Sequence, residues 1–170
     1  FDRTVDPAAS AIRWQPKKTQ PWKYTEAFPA GDDMKDKHMV SVNWVVNDAP
    51  LSVKDALTLG VLDDLLMGTT AATLRKALTD SGLGESVIGG GLSDELLQCT
   101  FSAGLKGVAP ADVSKVEALV LATLQKCVAE GFEADAIESS VNSIEFSLRE
   151  FNTGSFPRGL SFMLSAMQVH

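Results

Sequence analysis

The sequence contains few of the residues that bind metals or form covalent cross-links, with two cysteines and two histidines among 170 residues. Cys99 and Cys127 form no C-x-x-C motif, so we expect two free, buried thiols. A disulfide would require the strand that contains Cys99 to contact the helix that contains Cys127. His38 opens a predicted strand, His170 is the last residue, and neither H-E-x-x-H nor H-x-x-E-H occurs. We therefore predict no metal site and no catalytic residue in this chain.

Basic residues are also scarce, with 15 Lys and Arg against 22 Asp and Glu and a net charge of −7. This balance argues against a nucleic-acid surface, which needs a basic face, and against adhesion to an anionic membrane. No apolar run reaches the roughly 18 residues that suggest a membrane span, and no secretory signal is visible at the start. An acidic balance is compatible with a basic peptide partner, and it is also common among proteins without a charged ligand.

Three patterns that often indicate catalytic or binding sites are better explained here as structural features. The run Gly89-Gly90-Gly91 is not followed by Lys-Ser/Thr and opens no helix, so it predicts a turn rather than a phosphate loop. The pairs Asp63-Asp64 and Asp94-Glu95 predict solvated surface. The first pair occupies adjacent helix positions, which point apart, and the second follows a glycine-rich turn. No serine lies in a G-x-S-x-G context.

Arg158 is the one side chain that we single out as a candidate binding residue. It lies in the segment 152–158 (NTGSFPR), near the start of a predicted helix, where a positive charge opposes the helix dipole and does not stabilise the helix. We predict that Arg158 contacts a carboxylate of a peptide substrate or of a neighbouring domain. The alternative is a solvated charge in a turn.

The pattern of apolar residues predicts an α/β fold, an α+β sandwich with a largely antiparallel sheet and helices on one face. Residues 1–37 hold four of the seven prolines and predict an N-terminal arm, in which 22–28 (WKYTEAF) is compatible with a strand. Residues 38–170 predict a single domain. Its strands are expected at 38–47, 87–88 and 99–107, with the glycine run in a bulged or looped hairpin; its helices are expected at 51–67, 71–79, 110–130 and 133–150. We expect the last two helices to pack side by side on one sheet face.

A last apolar helix is predicted to follow the turn at 152–157. Leu160, Met163, Leu164 and Met167 lie at helical spacing, and no helix stop signal follows them. From this we expect the domain to be incomplete at its C-terminal end and the isolated chain to self-associate through the exposed side chains.

Several segments of the sequence resemble a known family. These are 38–44, 82–97 (GLGESVIGGGLSDELL), 104–108 (GLKGV) and 144–164, which includes NTGSFPRGLS. They are similar to the presequence proteases, an organellar group of the pitrilysin-type, inverted-motif zinc metallopeptidases. The segment EGFEADAIE between two predicted helices is general to the wider superfamily. The resemblance covers most of the chain from about residue 31 onward.

The resemblance implies an enzyme several times the length of this chain, with four related domains closing around a chamber. The H-x-x-E-H zinc motif of that family belongs to the first domain, and this chain resembles part of the non-catalytic second. The implied parent binds zinc, degrades cleaved targeting peptides and other short unfolded peptides, and works in the mitochondrial matrix or the chloroplast stroma. This segment would form the chamber wall, with the remaining domains as partners. The alternative is a non-catalytic peptide-binding or structural subunit of the same superfamily.

Overall fold

The computed structural model describes residues 12–29, 31 and 36–169. Over these residues the strands are β1 (His38–Val45), β2 (Ser86–Ser93) and β3 (Thr100–Val108). The α-helices are α1 (Val53–Asp63), α2 (Thr73–Asp80), α3 (Val113–Glu130), α4 (Ala134–Glu150) and α5 (Arg158–Val169). A π-helix (Asp64–Gly68) directly follows α1, and a 3-10 turn (Pro110–Asp112) directly precedes α3. The order of helices and strands agrees with the sequence pattern from 38 onward.

The strands form an antiparallel sheet with the order β1-β3-β2, so β3 is central. Successive side chains of a strand point to opposite faces, and one face of β1 packs on the core through Val40, Val42 and Trp44. Helix α3 lies against β1 and β3, and α2 packs on α3. The predicted α/β class with an antiparallel sheet is therefore confirmed.

The core lies between the sheet, α2, α3 and the π-helix. Leu74 and Leu78 of α2 are 0% and 1% exposed, and Val116 and Val120 of α3 are fully buried, as the helical spacing predicts. The remaining buried side chains of this cluster are Leu66, Met67, Ala103, Leu105 and Val108. Each buried Leu-sized side chain contributes about 1.5–3 kcal/mol relative to an exposed one.

The glycine run lies inside a strand, not in a turn between strands. Gly89 and Gly91 have φ of 86° and 73°, and the register of β2 against β3 shifts between Ile88 and Gly91. This is a β-bulge, in which glycine adopts positive φ without a steric penalty. The loop between β2 and β3 comprises residues 94–99 instead.

Two expectations were wrong. Residues 21–29 have no regular secondary structure, so the strand considered at 22–28 does not form. Helix α4 does not lie beside α3 on the sheet but packs against α1 and the π-helix. Ile137 and Val141, from the apolar stripe of α4, consequently remain 40% and 44% exposed.

The helical region Val53–Asp80 is long and apolar enough to cross a membrane by length and composition, with a mean hydropathy of 1.2. This is weak evidence, because core helices of soluble proteins pass the same test. Residues 69–72 interrupt the helix, and Met67 and Leu74 on either side of them are buried in the core. Of the most apolar stretch of this region, 22% is buried, so packing in the core accounts for part of its apolar composition.

Candidate functional site

The candidate site is the hairpin formed by α4, the turn after it, and α5. Phe151 closes α4 in the left-handed conformation, with φ 38° and ψ 56°, and its N–H donates to the carbonyl of Ser147 at 3.0 Å. This conformation is uncommon for a residue other than glycine, asparagine or aspartate. The Phe151 ring stacks on Phe162 of α5, with centroids 4.1 Å apart and planes at 14°. The stack connects the two helices across the turn.

The turn itself is fixed by its own hydrogen bonds. Oδ1 of Asn152 accepts from the N–H of Gly154 at 2.9 Å. The hydroxyl of Thr153 donates to the carbonyl of Phe156 at 2.6 Å, and the N–H of Phe156 donates back to the carbonyl of Thr153 at 3.0 Å. Because these bonds are local, the sequence NTGSFP builds a defined turn without help from the sheet.

Arg158, the predicted binding residue, is the first residue of α5 and is exposed. Within the described part of the chain, its guanidinium forms no ion pair or hydrogen bond. By contrast, Arg149 near the end of α4 pairs with Glu145 at 2.5 Å. The structure thus leaves the guanidinium of Arg158 accessible to an anionic group, and its role in binding stays a prediction.

Apolar side chains on α4 and α5 are strongly exposed. On α4, Phe146 and Leu148 are 67% and 62% exposed. On α5, the exposed large side chains are Leu160, Phe162, Met163, Leu164 and Met167. Exposed apolar groups at this density are typical of surfaces that contact another protein segment.

Two shallow concavities flank α4. One lies between α1 and α4 and is lined by Val53, Lys54, Leu57, Thr58, Val61 and Val141, so it is mostly apolar. The other follows the outer face of α4 and is lined by Asp135, Glu138, Ser139, Asn142, Ser143 and Phe146. Its two carboxylates and one exposed ring are chemically suited to a basic peptide with an apolar side chain.

The potential metal ligands are not brought together. Among the described residues, no group of three His, Cys, Asp or Glu side chains could hold a metal ion. Cys99 is buried and Cys127 half-buried, and both are free thiols, as predicted. Burial raises the pKa of each thiol, which favours the protonated form rather than the thiolate that binds zinc. His38 is exposed at the start of β1, and His170 lies outside the described residues.

The sequence pattern does not reveal the role of Asp63. The pattern predicts a solvated carboxylate, yet the side chain is half-buried and accepts a hydrogen bond from the backbone N–H of Leu92 at 2.8 Å. Burial raises the pKa of Asp63, as do the charges of Asp64 and Asp94, whereas the bond from Leu92 and the charge of Arg75 lower it. The contact joins α1 to β2 and is structural.

Comparison with known proteins identifies the family. A profile of the peptidase M16 inactive domain matches residues 7–144. The chain is 52% identical over 169 residues to Presequence protease 1, chloroplastic/mitochondrial, of Arabidopsis thaliana, covering 98% of this chain and 16% of the relative. It is 35% identical to Protein HypA of Clostridium perfringens, over 85% of this chain and 15% of the relative. It is 32% identical to Presequence protease, mitochondrial, of Mus musculus, over 77% of this chain and 12% of the relative.

The chain therefore spans 12–16% of the length of these relatives. The family profile ends at residue 144, inside α4, whereas the Arabidopsis match extends over nearly the whole chain. The turn 152–157 and α5 thus lie in the part shared with the presequence protease and beyond the general profile. The extent of these matches shows that the chain belongs to the M16 peptidase family and corresponds to its inactive domain.

Proposed function

We propose that this chain is a non-catalytic chamber wall of an organellar presequence protease, which degrades cleaved targeting peptides and other short unfolded peptides. The observation that carries the proposal is the match to the inactive domain over residues 7–144, together with 52% identity to the Arabidopsis relative. The Arabidopsis relative is named as chloroplastic and mitochondrial, and the mouse relative is named as mitochondrial. The mitochondrial matrix or the chloroplast stroma is accordingly the proposed location.

Zinc is proposed as a cofactor of the longer enzyme, bound outside this chain. The donor chemistry here does not fit the metal, because the two thiols are separately embedded and favour the protonated form. A zinc site in a peptidase needs three converging nitrogen, oxygen or sulfur ligands plus an open position. We therefore assign no reaction step to this chain.

The remaining domains of the same polypeptide are the proposed partners of the α4–α5 hairpin. Support comes from the exposed apolar side chains of α5 and from the share of the relatives that lies outside this chain, 84% or more of their length. The boundary between the arm and the domain at residues 37 and 38 remains part of the proposal, although the family profile already begins at residue 7.

Two measurements test the wall function. The native polypeptide that contains this sequence should be about six times longer than the chain, since the Arabidopsis match spans 16% of that protein. In that polypeptide, L160E together with M163E on α5 should slow degradation of a fluorescent targeting peptide at least tenfold and leave its zinc content unchanged. The matched control is L96E, at a leucine that is 70% exposed in the β2–β3 loop. A mature native protein of 18.2 kDa, or loss of zinc in the α5 variant, would contradict the proposal.

Arg158 is proposed to contact a carboxylate of the peptide or of a neighbouring domain. Arg158→Ala in the full polypeptide should raise the KM for a targeting peptide severalfold if the peptide is the partner. If a neighbouring domain is the partner, it should lower thermal stability instead. Arg149→Ala, which removes a paired surface arginine, is the control. Equal effects of the two substitutions would leave Arg158 as a solvated turn charge.

A second candidate function is a peptide-binding or structural subunit without chemistry. The concavity lined by Asp135, Glu138 and Phe146 favours it, because carboxylates and an exposed ring suit a basic amphipathic peptide. An Arg-rich peptide should then bind weakly at low salt and dissociate as salt rises, since exposed charges are screened over about 8 Å at physiological ionic strength. Asp135→Asn with Glu138→Gln should abolish the salt dependence. No binding at millimolar chain would exclude this function.

A further inference from the structure

Residues 12–23 of the N-terminal arm contact the folded domain although they have no regular helix or strand. The backbone N–H of Gln15 donates to Oε1 of Gln98 at 2.6 Å, and Nε2 of Gln98 donates to the carbonyl of Gln15 at 3.3 Å. One side-chain amide thus pairs both backbone groups of a single residue, as a neighbouring strand would. Further along the arm, Nζ of Lys23 lies 3.3 Å from the carboxylate of Glu117 on α3.

Gln98 is held in place by the end of the sheet. Its Nε2 also donates to the carbonyl of Asn47 at 3.4 Å. The Asn47 side chain is buried and uses its whole amide: Oδ1 accepts from the N–H of Cys99 at 2.6 Å, and Nδ2 donates to the carbonyls of Ala49 and Leu97 at 3.0 and 3.3 Å. The arm therefore binds a preorganised amide rather than a mobile surface side chain.

Residues 12–23 also form two ion pairs with the domain, both between exposed side chains. The side chains of Lys17 and Asp48 lie 3.9 Å apart and are 83% and 70% exposed. Those of Lys23 and Glu117 are 73% and 48% exposed. Exposed ion pairs contribute little and are weakened by salt. The amide contact at Gln98 is uncharged, so it is the contact that salt does not release.

We propose that residues 12–23 form a releasable strap, anchored to the sheet by Gln98 and to α3 by Lys23. Attached at both points, the strap bridges the sheet and helix layers and sets the direction from which the chain enters the domain. It also positions Trp22, whose ring lies 5.6 Å from that of Tyr24 and 4.7 Å from Nζ of Lys18. Because no strap residue belongs to the core cluster, the strap can detach while the domain stays folded.

Amide hydrogen exchange in the full chain tests the anchor at Gln98. Gln98→Ala should speed exchange of the Gln15 N–H by about three- to tenfold, the range expected for one lost neutral hydrogen bond. Gln125→Ala, at an exposed glutamine of α3, is the matched control and should leave the rate unchanged. Equal exchange rates at Gln15 in the Gln98 and Gln125 variants would overturn the assignment of Gln98 as anchor.

A charge exchange tests the anchor on α3 and does not depend on the loop around Gln98. Lys23→Glu should shift the Trp22 indole N–H resonance toward its position in an unstructured peptide, and adding Glu117→Lys should reverse that shift. Both side chains are exposed, so exchange of the β3 amides should remain unchanged and report an intact fold. Failure of the double variant to restore the resonance would contradict the strap. If Gln98→Ala also destabilises β3, the charge exchange between Lys23 and Glu117 is the experiment that tests the strap.

Discussion

Asp63, the last residue of α1, accepts a hydrogen bond from the backbone N–H of Leu92 at 2.8 Å and so connects a helix to a bulged strand. The neighbouring Gly91 leaves room for this contact, because a Cβ at that position would collide with Oδ1 of Asp63. Gly91 also has a φ of 73°, which L side chains rarely adopt. The glycine bulge is therefore required for α1 to pack against β2.

Gly91→Ala should lower the free energy of unfolding by at least about 2 kcal/mol, because it adds backbone strain and displaces the Asp63 carboxylate. Gly90→Ala is the control, since a Cβ at Gly90 meets nothing within 4 Å. Gly90 does not have positive φ, so its substitution should cost less than about 1 kcal/mol. Urea denaturation of both variants measures the difference. Similar losses of unfolding free energy at the two positions would show that a steric clash with Asp63 does not determine the effect of Gly91→Ala.

Asp63→Asn should be at least as stable as the wild type at pH 7, because the amide oxygen still accepts from Leu92 and no charge is buried. Burial raises the folded-state pKa of Asp63 above 3.8, so ionisation of this group opposes folding above that raised pKa. As the pH falls through the raised pKa toward 3.8, the wild type takes up the proton and this cost disappears. The advantage of Asp63→Asn should therefore shrink with falling pH.

Denaturant midpoints of the wild type and Asp63→Asn across this pH range measure that trend. Asp63→Ala provides the comparison, because it leaves the Leu92 N–H without its partner and should cost about 1–3 kcal/mol. An advantage of Asp63→Asn that grows as the pH falls would contradict a raised pKa for this carboxylate.

Much of the fold is accessible from the sequence because its signals are local. Periodicity predicts the alternation in β1 and the burial of Leu74 and Val116. Capping preferences predict the helix start at Ser52, whose side chain accepts from the N–H of Asp55. The position of α4 cannot be predicted from the sequence, since an apolar stripe indicates a buried face but not the element against which it packs. The glycine run predicts a bulged or looped hairpin, and the structure has the bulge; the sequence does not choose between the two, because positive φ serves both equally.

The candidate site is accessible only in part. The turn after α4 agrees with the sequence, because Asn152, Gly154 and Pro157 determine the local backbone. The hydrogen bond between Gln15 and Gln98 is not predicted, since a single glutamine 83 residues from its partner leaves no periodic signal. The same applies to the contact between Asp63 and Leu92.

The stacking of Phe151 on Phe162 should couple α4 to α5. A double-mutant cycle with alanine at both positions should give a coupling energy of about 0.5–1.5 kcal/mol. The control cycle pairs Phe162 with Phe146, which is 67% exposed on α4, and should give a coupling energy near zero. In addition, Phe151→Gly should destabilise less than Phe151→Ala, because glycine adopts the left-handed conformation at low cost. The reverse order would mean that the backbone at Phe151 relaxes without the ring.

The exposed apolar side chains of α5 should cause the isolated chain to self-associate. Leu160, Met163 and Met167 are 40%, 49% and 68% exposed, and they share one helix. Burying each of them in an oligomer is worth roughly 1 kcal/mol or more in proportion to the area removed from water. Light scattering should therefore show a mass that rises with protein concentration. Met163→Glu with Met167→Glu should return the chain to the monomer, whereas Leu96→Glu, in the β2–β3 loop, should leave the association unchanged. A strictly monomeric wild type at high concentration would show that the exposed apolar side chains of α5 do not drive association.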